Sequence, residues 1–115
     1  MYFLKNNIPK HTHIISDIKY KGDLPNIEKN MDDAINEINE LHVIKKFKYL
    51  FNPYGISLFY VLAESHISIH TWEEYQSINI DCFTCGKTNP EKTLNAFLKK
   101  INILDENRQI IKRGI

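Results

Sequence analysis

The sequence predicts an α/β (α+β) fold, a two-layer sandwich in which two helices lie on one face of a mainly antiparallel sheet. Six segments carry the β-branched and aromatic residues typical of strands, and two segments carry apolar residues at helical spacing. The 115 residues are enough for one hydrophobic core and too few for two domains. Two amphipathic helices can cover only one face of such a sheet. We therefore expect a single domain over residues 1–115, with the other sheet face covered by a second copy.

The first half of the chain predicts a strand, a helix and two more strands. Residues 13–20 are rich in β-branched side chains, and residues 26–42 then follow a helical pattern. Strand character resumes over 43–51, and a nearly unbroken apolar run over 56–63 indicates a central buried strand. The apolar stripe of the helix comprises Ile27, Met31, Ala34, Ile35, Ile38 and Leu41.

The second half predicts two strands, a helix and a closing strand. The strands cover residues 67–71 and 77–84, and Cys82 alternates with Ile78 and Ile80, which indicates a core position. The second helix begins near Asn89-Pro90, because asparagine is a good cap and proline suits the first helical position. Residues 108–112 predict an edge strand. The apolar stripe of the second helix comprises Leu94, Phe97 and Ile101.

Composition argues against several classes of protein. The formal net charge of +1 gives no electrostatic footprint for nucleic acid, and no apolar run approaches the roughly 20 residues that span a bilayer. The first ten residues do not resemble a secretory signal, and two cysteines are too few for a disulfide scaffold. We expect a cytoplasmic protein with reduced thiols, no nucleic-acid partner and no membrane partner.

The densest polar segment lies between Ala63 and Gly86, where three common types of site are weakly supported. His66, His70, Cys82 and Cys85 resemble a zinc set, but the two histidines, four residues apart on a strand, are separated by about 13 Å. The Cys-x-x-Cys pair does not open a helix, as redox pairs normally do. A serine hydrolase would need the Gly-x-Ser-x-Gly elbow that this sequence lacks. We therefore expect no metal site.

Three sequence blocks in and before this segment are distinctive: Glu64-Ser-His-Ile-Ser-Ile-His-Thr-Trp72, Phe83-Thr-Cys-Gly86 and, upstream, Pro53-Tyr-Gly-Ile-Ser57. These blocks resemble the prokaryotic S-adenosylmethionine decarboxylase proenzyme family. Together they span about a third of the chain. The resemblance implies a small-molecule substrate, S-adenosylmethionine, which is decarboxylated to S-adenosylmethioninamine and CO₂ for spermidine synthesis.

The resemblance also implies a cofactor that the chain makes from itself, with no pyridoxal phosphate. The hydroxyl of Ser65 attacks the carbonyl of Glu64, and the amide becomes an ester. Elimination from Ser65 and hydrolysis then release ammonia and leave a pyruvoyl group, whose ketone forms a Schiff base with the substrate amine. The products are a β chain, 1–64, and an α chain, 65–115.

Further residues take roles only through the same resemblance. His70 and Ser57 serve the processing step, and Cys85 is the proton donor in catalysis, a role that suits a thiol with a reference pKa of about 8.5. His66, Thr71 and Trp72 are expected to shape the turn after the cut. The residues expected to bind substrate are Phe51 against adenine, Glu74 at the ribose and Asp17 near the sulfonium or amine.

The resemblance implies a homodimer with active sites shared between the protomers. The pyruvoyl group and Cys85 come from one protomer, and Ser57, His70, Phe51 and Glu74 come from the other. This arrangement agrees with the sheet face that the two helices leave open.

Four positions depart from the family pattern and keep a second substrate class open. The family usually has histidine at the position of Tyr49, glycine at Leu58, proline at Glu73 and glycine at His11. A drifted nucleoside pocket is also compatible with a pyruvoyl-dependent arginine or ornithine decarboxylase. A catalytically dead partner subunit is less favoured, because Ser65 and Cys85 are both retained.

Overall fold

The computed structural model describes residues 10–38, 40–85 and 88–115, and its element order is the one that the sequence predicts. Gly86, the last residue of the Phe-Thr-Cys-Gly block, lies outside the described residues. The elements are β1 (His11–Tyr20), α1 (Ile27–Asn36), β2 (Val43–Leu50), β3 (Ile56–Leu62), β4 (Ser65–Trp72), a 3₁₀ turn (Glu73–Tyr75), β5 (Ser77–Cys85), α2 (Pro90–Leu98) and β6 (Ile103–Arg113).

The six strands form one antiparallel sheet in the order β2-β3-β4-β5-β1-β6. Strand β1 lies between β5 and β6, so residues from the two ends of the chain pair, as His11 does with Arg113. Strands β3, β4 and β5 follow each other along the chain and pair as a meander. The predicted α+β architecture is therefore confirmed.

Burial alternates along the strands and separates the sheet into two faces. On one face the strand residues Ile14, Ile67 and Ile78, each 0 % exposed, join a single core with the apolar stripes of both helices. Burying an aliphatic side chain of this size contributes roughly 1.5–3 kcal/mol. The opposite face, here called the open face, carries alternate residues of each strand, among them His13, Asp17, Ser57, Phe59, His66, His70, Trp72, Asn79, Asp81, Phe83 and Cys85.

Several element boundaries differ from the sequence prediction, among them the start of β1 at His11, two residues earlier than predicted. Helix α1 ends at Asn36 rather than His42, because Ile38 and Leu41 continue in tighter turns whose amides bond three residues back. Strand β4 begins at Ser65, two residues earlier than predicted. Strand β6 begins at Ile103, since pairing with β1 extends it through an acidic stretch that a sequence pattern does not mark as strand.

Both helices within the described part of the chain are short. Helix α1 has 10 residues and α2 has 9. Neither approaches the length and apolar character of a helix that crosses a membrane.

Candidate active site

A cavity of about 590 Å³ opens on one end of the open face. It lies where the loop between β2 and β3 meets β4, the 3₁₀ turn and β5. Its aromatic side chains Phe51, Tyr54 and Trp72 are each close to half exposed. The residues lining it are Phe51, Asn52, Pro53, Tyr54, Gly55, Ser57, His70, Thr71, Trp72, Glu74 and Asn79.

The loop that forms one wall of the cavity is held by short local bonds. The amide of Phe51 donates to the carbonyl of Gly55 at 2.9 Å, and Gly55 has φ +112, which glycine adopts without strain. The Thr71 hydroxyl accepts from the amide of Ile56 at 2.9 Å, which ties the end of the loop to β4. Thr71, one residue before the end of β4, therefore positions this loop.

Ser57 and His70 lie directly opposite each other on β3 and β4. Their side chains form a hydrogen bond of 2.7 Å between Ser57 Oγ and His70 Nδ1. In a neutral imidazole one ring nitrogen carries the proton and the other accepts. If the Ser57 hydroxyl donates to Nδ1, then Nε2 carries the proton and can donate it. If Nδ1 donates to the hydroxyl, then Nε2 can accept a proton. The pair can therefore give or take a proton at the cavity wall.

Phe51 and Glu74 line the same cavity, whereas Asp17 is one strand away from it. The side-chain amide of Asn79 donates to Asp17 Oδ1 at 2.7 Å, and its oxygen accepts from Trp72 Nε1 at 2.6 Å. Asn79 was missed by the sequence reasoning, although its alternation with Asp81 and Phe83 along β5 is the signal that could have found it. Trp72 lies at the cavity, and the first turn after the proposed cut, the 3₁₀ turn Glu73–Tyr75, follows it directly.

Ser65 and Cys85 lie at the other end of the sheet. Strands β4 and β5 pair His66 with Phe83, and continuing that register places Cys85 beside Glu64 and Ser65. Glu64 itself occupies the turn between β3 and β4 with φ +68, a left-handed conformation that glycine or asparagine normally takes. Strain of roughly 1–3 kcal/mol is typical of such a residue.

The two groups of residues are far apart within one chain. Ser65 and His70 are five positions apart on β4, which corresponds to about 16 Å along an extended strand. Ser57 faces His70 and not Ser65, whose partner on β3 is Leu62. One chain therefore does not bring its own Ser57–His70 pair to its own Ser65.

Between these ends, three polar side chains of the open face meet across β1, β4 and β5. His13 Nε2 hydrogen-bonds to Asp81 Oδ1, and His66 Nε2 lies 3.6 Å from the same oxygen. The nearest ligand atoms of the three residues lie within 4.8 Å of one another. His66 therefore belongs to this cluster, and its expected role in the turn after the cut stays a prediction.

The four residues of the zinc alternative do not converge. Cys82 is 1 % exposed and belongs to the core on the helix-covered face, whereas His66, His70 and Cys85 belong to the open face. Burial and, to a smaller extent, the negative charge of Asp81 raise the pKa of the Cys82 thiol to about 12. Cys82 is therefore a protonated core side chain, as its alternation with Ile78 and Ile80 predicts.

Comparison with known families gives one match over most of the chain. A family model described as S-adenosylmethionine decarboxylase matches residues 13–114.

Individual relatives and a solved structure agree with that family. An S-adenosylmethionine decarboxylase proenzyme of Archaeoglobus fulgidus is 36% identical over 107 residues, which cover 89% of this chain and 96% of the relative. One of Hydrogenobaculum is 37% identical over 110 residues, 90% of this chain and 81% of the relative. The crystal structure of the adenosylmethionine decarboxylase from Aquifex aeolicus superposes with a TM-score of 0.82 at 29% identity, over 93% of this chain and 92% of that one.

Proposed function

This chain belongs to the S-adenosylmethionine decarboxylase proenzyme family, and on that premise we propose that it cuts itself between Glu64 and Ser65 and acts through the new terminus. It is a pyruvoyl-dependent decarboxylase that converts S-adenosylmethionine to S-adenosylmethioninamine and CO₂. The product donates an aminopropyl group in spermidine synthesis. The cavity carries this proposal, because Phe51, Ser57, His70 and Glu74 all line it.

The self-cleavage uses groups of the chain alone. The Ser65 hydroxyl adds to the Glu64 carbonyl, the C–N bond breaks, and the freed amine of residue 65 is protonated. A base then removes the α-proton of residue 65, and the Glu64 carboxylate leaves with the ester oxygen. Water converts the resulting enamine to a ketone and ammonia. The left-handed Glu64 supports a cut at this bond, since an ester in place of the amide relaxes backbone constraint.

The residues around Ser65 fit a pyruvoyl group. Such a group supplies a carbonyl that draws electrons from the substrate as CO₂ leaves. Residue 65 is the first residue of a strand with partners on both sides, so a new terminus there stays anchored in the sheet. Cys85, half-buried on the adjacent strand, protonates the substrate α-carbon.

The cavity binds the nucleoside part of the substrate. Phe51 offers an aromatic face for adenine, and Glu74 offers a carboxylate for the ribose hydroxyls. Asp17 lies one strand further and attracts the positive charge of the sulfonium or amine. The three aromatic side chains of the cavity match a purine better than the short aliphatic chain of arginine or ornithine, so those substrates are not favoured.

Each active site combines two copies of the chain. The separation of about 16 Å between Ser65 and His70 on β4 rules out direct contact within a chain. A homodimer with its open faces packed together in antiparallel fashion would set the Ser65 and Cys85 end of one protomer against the cavity of the other. His70 and Ser57 would then process the partner chain.

A parallel substrate assay tests the activity. Release of CO₂ from S-adenosylmethionine, arginine and ornithine is measured for wild type and for Ser65→Ala. The mass of each protein is determined by denaturing mass spectrometry. We expect two fragments and release from S-adenosylmethionine alone for wild type, and one inert chain for Ser65→Ala. Release from a basic amino acid instead of S-adenosylmethionine would reject the proposal.

Co-expression of two inactive variants tests the shared site. Ser65→Ala keeps His70 but cannot be cut, and His70→Ala keeps Ser65 but lacks the processing residue. With distinct tags and mixed dimers isolated by tandem purification, we expect the His70→Ala chain alone to be cut. An uncut His70→Ala chain within verified mixed dimers would refute processing between protomers.

A further inference from the structure

We propose that Asn79 is a positioning residue that holds the Asp17 carboxylate and the Trp72 indole in place, so that the site prefers a sulfonium to a neutral thioether. The inference deepens the proposed function and rests on it. Asn79 lines the cavity from β5, and the register places it between His70 on β4 and Asp17 on β1.

The hydrogen bonds of Asn79 define which way its amide points. The Trp72 indole N–H can only donate, and it reaches Asn79 Oδ1 at 2.6 Å. The other partner is Asp17, whose Oδ1 accepts from Asn79 Nδ2–H at 2.7 Å. One amide therefore connects an aromatic side chain of the cavity to a carboxylate on the next strand.

This connection gives the cavity a fixed negative end. Asp17 is exposed on the open face, and an exposed aspartate without a partner samples several rotamers. The bond to Asn79 occupies Oδ1, and Oδ2 is free of hydrogen bonds to the described residues. A neutral amide suits this role because it orients Asp17 without cancelling its charge.

The arrangement predicts selectivity for charge rather than for shape. S-adenosylmethionine carries a sulfonium, and S-adenosylhomocysteine has the same nucleoside and amino-acid backbone but lacks the S-methyl group and, with it, the positive charge. Adjacent strands lie about 4.8 Å apart, so Asp17 stands within one strand spacing of the cavity wall at Asn79. Over such a distance, at the edge of a partly enclosed cavity, a carboxylate favours a cation markedly.

The test is a binding titration that does not depend on turnover. Trp72 is the only tryptophan, so its fluorescence reports on ligand at the cavity. In the uncut Ser65→Ala chain, each nucleoside is titrated separately, and the ratio of the two dissociation constants gives the preference for the sulfonium. We expect Asn79→Ala and Asp17→Asn each to reduce this ratio about 5- to 10-fold, and their combination to reduce it no further.

Two more variants test whether negative charge sets the preference. Asn79→Asp loses the donor to Asp17 but adds a carboxylate at the cavity wall, so we expect the ratio to stay at or above that of the parent, and a loss like that of Asn79→Ala would contradict the inference. Asn107→Ala is the matched control, since Asn107 flanks Asp17 from β6 and lies outside the cavity. A ratio unchanged in Asn79→Ala, or equal losses for both ligands, would overturn the inference.

A separate measurement of turnover distinguishes failure of this inference from failure of the proposed function. In cut wild-type protein, absence of CO₂ release from S-adenosylmethionine contradicts the proposed function, whatever the titrations give. In cut Asn79→Ala, we expect KM for S-adenosylmethionine to rise about 5- to 10-fold with kcat within about twofold. A fall in kcat with KM unchanged would contradict the positioning role.

Discussion

At the scale of single residues, the backbone of Glu64 is the feature most directly tied to chemistry. Two described non-glycine residues have positive φ, Glu64 at 68 and Gln76 at 50. Gln76 follows the 3₁₀ turn, where its amide closes the turn onto Glu73, and Glu64 precedes the proposed cut. The left-handed conformation therefore closes an ordinary turn at Gln76, whereas at Glu64 it lies next to the bond that is proposed to break.

Replacing Glu64 with glycine should stabilise the fold and slow the cut. Glycine adopts positive φ without a Cβ clash, so unfolding of Glu64→Gly in the uncut Ser65→Ala chain should require about 1 kcal/mol more. With Ser65 present, fragments should appear several-fold more slowly, as followed by denaturing mass spectrometry. Gln76→Gly should stabilise similarly without slowing the cut, and Glu64→Ala controls for the lost carboxylate. Equal cutting rates in Glu64→Gly and wild type would contradict a role for strain.

The two cysteines should differ in reactivity. The thiolate is the reactive form, and burial raises the pKa of Cys82 to about 12, whereas Cys85 is half-buried on the open face. Brief treatment of native protein with iodoacetamide should therefore label Cys85 alone, as read from the mass of the α fragment and its peptides. Denatured protein should take two labels. Labelling of Cys82 in the native state would show that the core opens around it.

At the scale of elements, an ion-pair cluster fastens α1 to the edge strand β2. Glu28 accepts from Lys46 at 2.7 Å and from Lys48 at 2.9 Å, and Lys46 also reaches Asp32 at 3.0 Å. Hydrogen bonds from Lys46 and then Lys48 lower the pKa of Glu28. Burial and a hydrogen bond to Asp32 raise the pKa of Tyr60, which holds its hydroxyl in the donor form beside this cluster.

The lowered pKa of Glu28 predicts how stability changes in acid. A carboxyl whose pKa is lower in the folded state stabilises the fold above its unfolded pKa, about 4.3. That contribution is lost as pH falls through the lower folded value. In the uncut Ser65→Ala chain, the free energy of unfolding of Glu28→Gln should therefore depend less steeply on pH below about 4.3 than that of its parent. Identical slopes for Glu28→Gln and its parent would contradict the assignment.

At the scale of the whole molecule, the strand order holds the two proposed fragments together. The β fragment would contain β1, α1, β2 and β3, and the α fragment would contain β4, β5, α2 and β6. In the sheet, β1 of the first fragment lies between β5 and β6 of the second. The proposed cut falls in the turn before β4 and removes no strand pairing. We therefore expect the sheet to stay intact after the cut.

The cut protein should therefore behave as one folded particle. We expect residues 1–64 and 65–115 to co-elute in gel filtration under native conditions and to separate only in denaturant. The β1–β5 and β1–β6 pairings, together with the shared core, supply the association. Refolding after denaturation should be less efficient for the cut protein than for Ser65→Ala, because two chains must meet. Separation of the fragments in native buffer would contradict this interlocked arrangement.

The sequence by itself determined the order of elements and the residues of the motif. Alternation along β5 placed Cys82 in the core, and helical spacing placed Met31 and Phe97 there, because these periods belong to local backbone geometry. The motif likewise singled out Ser65 and His70. The sequence pattern could not predict that α1 ends at Asn36. The turns that follow have hydrogen bonds between residues three apart, and they continue the apolar stripe of the helix.

Only the tertiary structure decided where the motif residues stand relative to one another. Asp17 and Asn79 are 62 positions apart, and they meet because β1 inserts beside β5. Ser65 and His70 are near in sequence yet lie at opposite ends of β4, because an extended strand separates residues that a helix would bring together. The reason is the same in both cases: strand pairing joins distant segments, and the register between them is set by the packed core as a whole.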